Sequence, residues 1–113
     1  MNKKTALLPI VYIACLFSLQ IHAKSYSEEH QKVQTLFQSD EEKTAKDAVW
    51  TAPDIFKVGG IDDGSRREGY AEYVCLTLYD YGFKGKNVWV QIIDFDRLIK
   101  GNDWVKLGEK TCQ

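Results

Sequence analysis

Residues 55–82 read "IFKVGGIDDGSRREGYAEYVCLTLYDYG", and the fold turns on how this stretch is divided. Ile55, Phe56, Val58 and Ile61 suggest a strand over about 55–61, although Gly59-Gly60 weakens it and implies a bulge or a close backbone approach. A polar turn, Asp62-Asp63-Gly64-Ser65, follows. Ser65 and Glu68 then have the spacing of a capping box, in which the serine accepts from an amide three residues on and the glutamate reaches back. Tyr70, Ala71, Val74, Cys75 and Leu78 recur at i, i+1, i+4, i+5 and i+8, one face of a helix. The pattern predicts a helix from Arg66 to about Tyr81, closed by Gly82 as a left-handed cap.

Working outward, "NVWVQIIDFDRL" is the clearest strand in the chain. Val88, Val90 and Ile92 alternate with Trp89, Gln91 and Ile93, so both faces are largely apolar, as in a central strand covered on each side. "KGND" supplies turn chemistry. "DWVKLGEKTC" reads as a closing strand whose broken alternation at Trp104 and Leu107 suits a sheet edge. Strand, helix, strand predicts a parallel crossover, and the last two strands an antiparallel hairpin. The expected fold class is α+β: a small three-stranded mixed sheet in β-α-β-β order over residues 53–113, packed with a central helix and an N-terminal helical segment.

That segment, residues 24–52, reads as helical throughout. Val33, Leu36 and Phe37 form a short apolar stripe, while Ser27 with His30 makes at best a poor capping box. Ser39 with Glu42 fits a capping box and predicts a second helix, with Ala45, Ala48 and Val49 as its weak apolar face and Pro53 as its end.

The first 23 residues have another character. "MNKK" is a basic start, "TALLPIVYIACLFSLQI" is apolar and "IHA" offers a cleavage site after Ala23: the layout of a secretory signal peptide. Two alternatives stay open, lipidation at Cys15 and retention as an anchor. Tyr12 is atypical for a lipobox, and the apolar run is short for a span and interrupted by Pro9. Cleavage leaves 90 of the 113 residues and no stable membrane span. Removing Lys3 and Lys4 takes the 15 basic side chains to 13 against 16 acidic ones, and no Lys/Arg-rich run remains, which argues against a nucleic-acid partner. Two cysteines remain, Cys75 and Cys112. An even count in a small exported chain reads as one disulfide, and the expected location is periplasmic or secreted.

Chemistry is sparse. His30 is the only histidine after cleavage and has no evident partner, and neither a redox CxxC pair nor a phosphate loop is present. The expectation is a protein that is not an enzyme and needs no cofactor. Asp62 and Asp63 follow the first strand of the β-α-β unit, while Asp94 and Asp96 close the second. If those strands run parallel, the four carboxylates gather on one sheet edge, where a calcium or magnesium ion could bind. That metal- or small-ligand-binding reading is the alternative. It competes with ordinary turn capping, since no EF-hand spacing is present. Arg66 and Arg67 stand in a helix's first turn, where cations are mildly unfavourable. With Asp63 and with Tyr73, off the apolar stripe, they are the candidate contacts for an unidentified protein or cell-envelope partner, in an inhibitor, immunity-type or accessory role.

Overall fold

The computed structural model describes residues Tyr26–Gln113; the expected signal peptide lies outside them. Helix α1 spans Glu28–Phe37, strand β1 Asp47–Ala52, strand β2 Ile55–Gly60, helix α2 Glu68–Tyr79, strand β3 Trp89–Asp94, helix α3 Phe95–Gly101 and strand β4 Lys106–Thr111. The four strands form one mixed sheet in the order β1-β2-β3-β4. β1 and β2 are antiparallel, β2 and β3 parallel, and β3 and β4 antiparallel. The fold is therefore α+β as expected, with the crossover strands parallel and β4 at an edge, but it has four strands rather than three.

The extra strand is β1, where a second helix was expected. Its burial alternates: Ala48 and Trp50 point inward, and Asp47, Val49 and Thr51 outward. The period of two defeats the weak helical stripe because burying Trp50 removes far more apolar surface from water than Ala45 and Ala48 could. Pro53 does not end a helix. It forms with Asp54 the two-residue turn of the β1–β2 hairpin, so that Ala52 pairs with Ile55. Residues 38–44 are turns: Ser39 Oγ donates back to the Leu36 carbonyl (2.7 Å) and accepts from Glu41 N–H (3.2 Å).

A second correction lies between β3 and β4. The connection is not a tight hairpin but α3. Asp94 caps this helix by accepting from Arg97 N–H (3.2 Å), and Asn102 closes it in the left-handed region (φ 58°). The strand ends at Asp94, so Asp96 belongs to the first turn of α3 and does not continue the strand's alternation.

α1 packs over β1, and α2 over β3 and β4, all on one face of the sheet. Between sheet and helices lie Val33, Phe37, Trp50, Phe56, Val58, Val74, Leu78, Val90 and Ile92, all buried. Helix α2 can approach β4 closely because position 108 is glycine. A Cβ there would stand 2.6 Å from Glu68 N and 2.7 Å from Arg67 O. The same contact lets Arg67 N–H donate to the Leu107 carbonyl (3.1 Å). The far end of α2 closes as a Schellman motif: Phe83 N–H reaches Leu78 O (3.2 Å), Gly82 N–H reaches Tyr79 O (3.3 Å), and Gly82 takes φ 92°. Cys75 on α2 and Cys112 after β4 form the expected disulfide, with Cα atoms 5.4 Å apart. The chain's last residues are tied down further. Gln113 N–H donates to Tyr79 Oη (2.9 Å), and Cys112 N–H to Val88 O (2.7 Å). No helix among the described residues is long and apolar enough to cross a membrane.

Candidate functional site

The β2–α2 junction carries most of the expected contact residues and uses them to hold itself together. Asp62 accepts from Gly64 N–H (3.0 Å), and Asp63 accepts from both Ser65 N–H (3.0 Å) and Ser65 Oγ–H (2.6 Å). The Ser65 hydroxyl bond, first, and the Arg67 charge hold the Asp63 carboxyl below its ordinary range. Arg67 folds back, donating through Nη2 and Nε to the Ile61 carbonyl (2.9 and 3.3 Å) and pairing with Asp63 (3.3 Å). Its side chain is only 20 % exposed. The Ser65–Glu68 capping box does not form. Arg67 is the N-cap without a side-chain bond, and Glu68 pairs instead with Arg66 (3.0 Å), whose side chain is 87 % exposed.

Tyr73 is exposed and donates to Glu42 (2.7 Å), which joins the 38–44 turns to α2 and pushes the tyrosine's ionisation upward. Its ring stacks on Tyr70, with centroids 5.7 Å apart. Tyr70 Oη is buried beside the Glu42 carboxylate, which bonds Tyr73 at good geometry and Tyr70 at best weakly. Burial, first, and the Glu42 charge raise its pKa beyond the ordinary tyrosine range. Of the four candidate contacts Asp63, Arg66, Arg67 and Tyr73, only Arg66 keeps its polar end clear of the loops and turns.

The parallel pairing does bring the ends of β2 and β3 together, with Gly60 opposite Asp94. It does not assemble the four aspartates. Asp62 and Asp63 bind loop amides, Asp94 caps α3 and Asp96 sits in its first turn. Among the described residues, no group of three or more His, Cys, Asp and Glu side chains is placed to hold a metal ion.

His30 has the partners that the sequence did not reveal. Its Nδ1 lies 2.6 Å from Ser27 Oγ and its Nε2 2.9 Å from the Pro53 carbonyl. A carbonyl only accepts, so Nε2 carries a proton. Trp50 and Phe83 meet the ring edge-on, with centroids 4.4 and 4.8 Å away, and Trp50 Nε1 donates to the His30 carbonyl (2.9 Å). Ser27 is a local partner, but Trp50, Pro53 and Phe83 come from two segments remote in sequence, so no local motif could have signalled them. The imidazole joins α1 to the β1–β2 turn.

The outer face of the sheet, opposite α1 and α2, is partly open; among the described residues, α3 and the segment after it lie there. Phe95 packs on Gly59, where a Cβ would come within 2.9 Å of the ring. Beside it, Val49, Ile93, Leu98 and Trp104 complete an apolar groove of about 120 Å³. Trp104 is 47 % exposed, Val49 38 % and Trp89, farther along the same face, 37 %. Lys57 lies over Trp104 (4.9 Å to the ring centroid) and Lys106 over Trp89 (5.2 Å). Glu109 accepts from Trp89 Nε1 (2.9 Å) and pairs with Lys106 (3.2 Å); these two bonds, in that order, lower its pKa. Sequence reading missed this face because it treated both sides of β3 as core. Trp104, outside regular structure, was the one visible signal.

Comparison with protein-family descriptions, with curated proteins and with solved structures finds no match.

Proposed function

We propose that this chain is a small exported domain, periplasmic or secreted, that performs no catalysis and binds a protein partner of the cell envelope or its surroundings. The observation that carries the reading is the outer sheet face, where exposed Trp104 borders an apolar groove and exposed Trp89 lies farther along. Aromatic side chains beside basic ones are the usual energetic centres of protein contacts. The polar residues that a catalytic reading would need are engaged in holding the fold: both His30 ring nitrogens have structural partners, and Asp63 and Arg67 lock their own loop. The Cys75–Cys112 bond and the apolar N-terminal segment with its basic start support export. An inhibitor, immunity-type or accessory role fits such a domain.

The test is site-specific photo-crosslinking in the producing cell. A photoreactive amino acid is placed in turn at Val49, Trp104, Arg66 and Tyr73. The expected result is one discrete crosslinked protein from the Val49 and Trp104 positions. Absence of any crosslinked species from all four positions overturns the binding reading, and a crosslink from Arg66 or Tyr73 alone moves the contact to α2.

A further inference from the structure

We infer that the outer sheet face binds an extended stretch of a partner polypeptide that carries no net charge, bonding its main chain to the Gln91 carboxamide and seating one apolar side chain in the groove beside Trp104. This rests on the protein-binding reading above and specifies which part of the partner is read. Gln91 carries the inference. Val90 and Ile92 point into the core, so Gln91 and Ile93 lie on the opposite face of the central strand β3. Gln91 is 6 % exposed, yet its carboxamide has no hydrogen-bond partner among the described residues. Its register neighbours on that face are engaged elsewhere. Lys57 on β2 reaches over the Trp104 ring, and Glu109 on β4 holds Trp89 and Lys106. Neither polar atom of Gln91 is sealed from solvent. A nearly buried amide without protein partners is the place where an incoming group gains most by donating and accepting.

The chemistry favours a main chain. A carboxamide offers N–H donors and a carbonyl acceptor, the same pair that a peptide unit presents, so the two can bond reciprocally. Two residues along the same face stands Ile93, which lines the apolar groove with Gly59 and Trp104. The two positions are about 7 Å apart, at roughly 3.3 Å per residue, which an extended segment spans with two residues of its own. A groove of about 120 Å³ is on the scale of a cavity that takes one benzene-sized group, so it suits one leucine, isoleucine or phenylalanine. Charge at the groove favours neither sign. Asp47 and Lys57 both line it, and neither has an ion pair among the described residues. A strongly charged segment would gain at one and lose at the other, so the segment read here is neutral. A glycan is disfavoured because an ammonium already lies over each exposed tryptophan ring and because the groove is apolar.

The experiment selects phage-displayed random dodecapeptides on the disulfide-bonded protein purified from an oxidising compartment. The expected consensus is one large apolar residue with no preferred charge beside it. The synthesised consensus peptide should bind Trp104→Ala and Gln91→Leu at least tenfold more weakly than the wild type. Gln91→Leu should keep or raise the melting temperature, because the amide it removes has no partner in the fold. Methylating the peptide's main-chain nitrogens one at a time should reveal a position that matters at least tenfold to the wild type and not at all to Gln91→Leu. Asp47→Asn and Lys57→Gln should each change affinity less than threefold. Circular dichroism checks that the variants keep the fold. A consensus built on charged residues, binding indifferent to Gln91→Leu, a lowered melting temperature in that variant, or no selected peptide overturns the proposal. So does concentration-dependent dimerisation abolished by Gln91→Leu, which would make the occupant a second copy. So too does Gln91-dependent binding of N-acetylglucosamine oligosaccharides, which would make it a glycan. A crosslinked protein from Val49 or Trp104 whose yield is unchanged by Gln91→Leu would leave protein binding standing and remove only this inference. Silence in both experiments would remove both.

Discussion

Ser27 and Ser65 show how far a residue's role depends on what lies beyond its neighbours. Ser65 has the better capping-box partner, a glutamate three residues on, yet Asp63 captures its hydroxyl and Arg66 captures Glu68. Ser27 has a histidine at that place, yet it caps α1 by accepting from His30 N–H (3.1 Å), and the His30 ring completes the exchange. Ser27→Ala should therefore cost about 1 kcal/mol, the usual loss for an N-cap, in urea unfolding, while Ser65→Ala should cost less because it removes no helix cap. Equal losses would show that the Ser65 bond to Asp63 matters as much as a cap. Tyr70 gives a second test. A buried hydroxyl that lacks a bond of good geometry costs stability, so Tyr70→Phe should be nearly neutral at pH 7, within about 1 kcal/mol. Tyr70 and Tyr73 both have raised pKa values in the fold, so their neutral forms are favoured there. Their contribution is fully present below the ordinary tyrosine pKa of about 10 and is lost as pH rises above it. Alkaline unfolding followed by tyrosine absorbance should shift to higher pH in Tyr70→Phe.

At the scale of elements, β2, α2 and β3 were legible because each carries a strong apolar period, and Gly82 closes α2 as expected. β1 was not, because its only large inward residue, Trp50, gains its value from Phe56 and His30, which are remote in sequence or in another element. α3 was missed because seven residues are too few for a helical period. It exists through its two ends, the Asp94 cap and the left-handed Asn102. Asp94→Ala should thus destabilise the protein by about 1–2 kcal/mol, while Asp94→Asn, which keeps a side-chain acceptor, should lose much less. Hydrogen exchange resolved to residues 95–101 would locate the loss. The same side chain separates capping from metal binding. Millimolar calcium or magnesium should leave the melting temperature of the wild type unchanged, because the aspartates are held apart by the turns and caps they serve. A rise of several degrees that Asp94→Asn abolishes would restore the metal reading.

At the scale of the whole molecule, the disulfide joins the helical layer to the edge of the sheet. It closes a separation of 37 residues, for which the chain-entropy estimate is roughly 4 kcal/mol. A domain of this size has little stability to spare. The Cys75→Ser, Cys112→Ser double variant should therefore lose most of its folded population at 37 °C, as measured by near-ultraviolet circular dichroism. Retention of the wild-type melting temperature would show that the core suffices alone.

The sequence by itself determined the α+β class, the parallel β2–α2–β3 unit, the Cys75–Cys112 pair and the edge position of β4. These follow from periodicity and cysteine count, which a single segment or a single pair can carry. Tertiary structure alone decided the fourth strand, the packing of the His30 ring against Trp50 and Phe83, the internal use of Asp63 and Arg67, and the open sheet face around Trp104. Each of these depends on which distant side chain competes for a hydrogen bond or covers a surface. That competition is settled only when the layers pack, and in this protein it engages Asp63, Arg67 and Tyr73 within the fold and leaves Trp104 exposed on the outer sheet face.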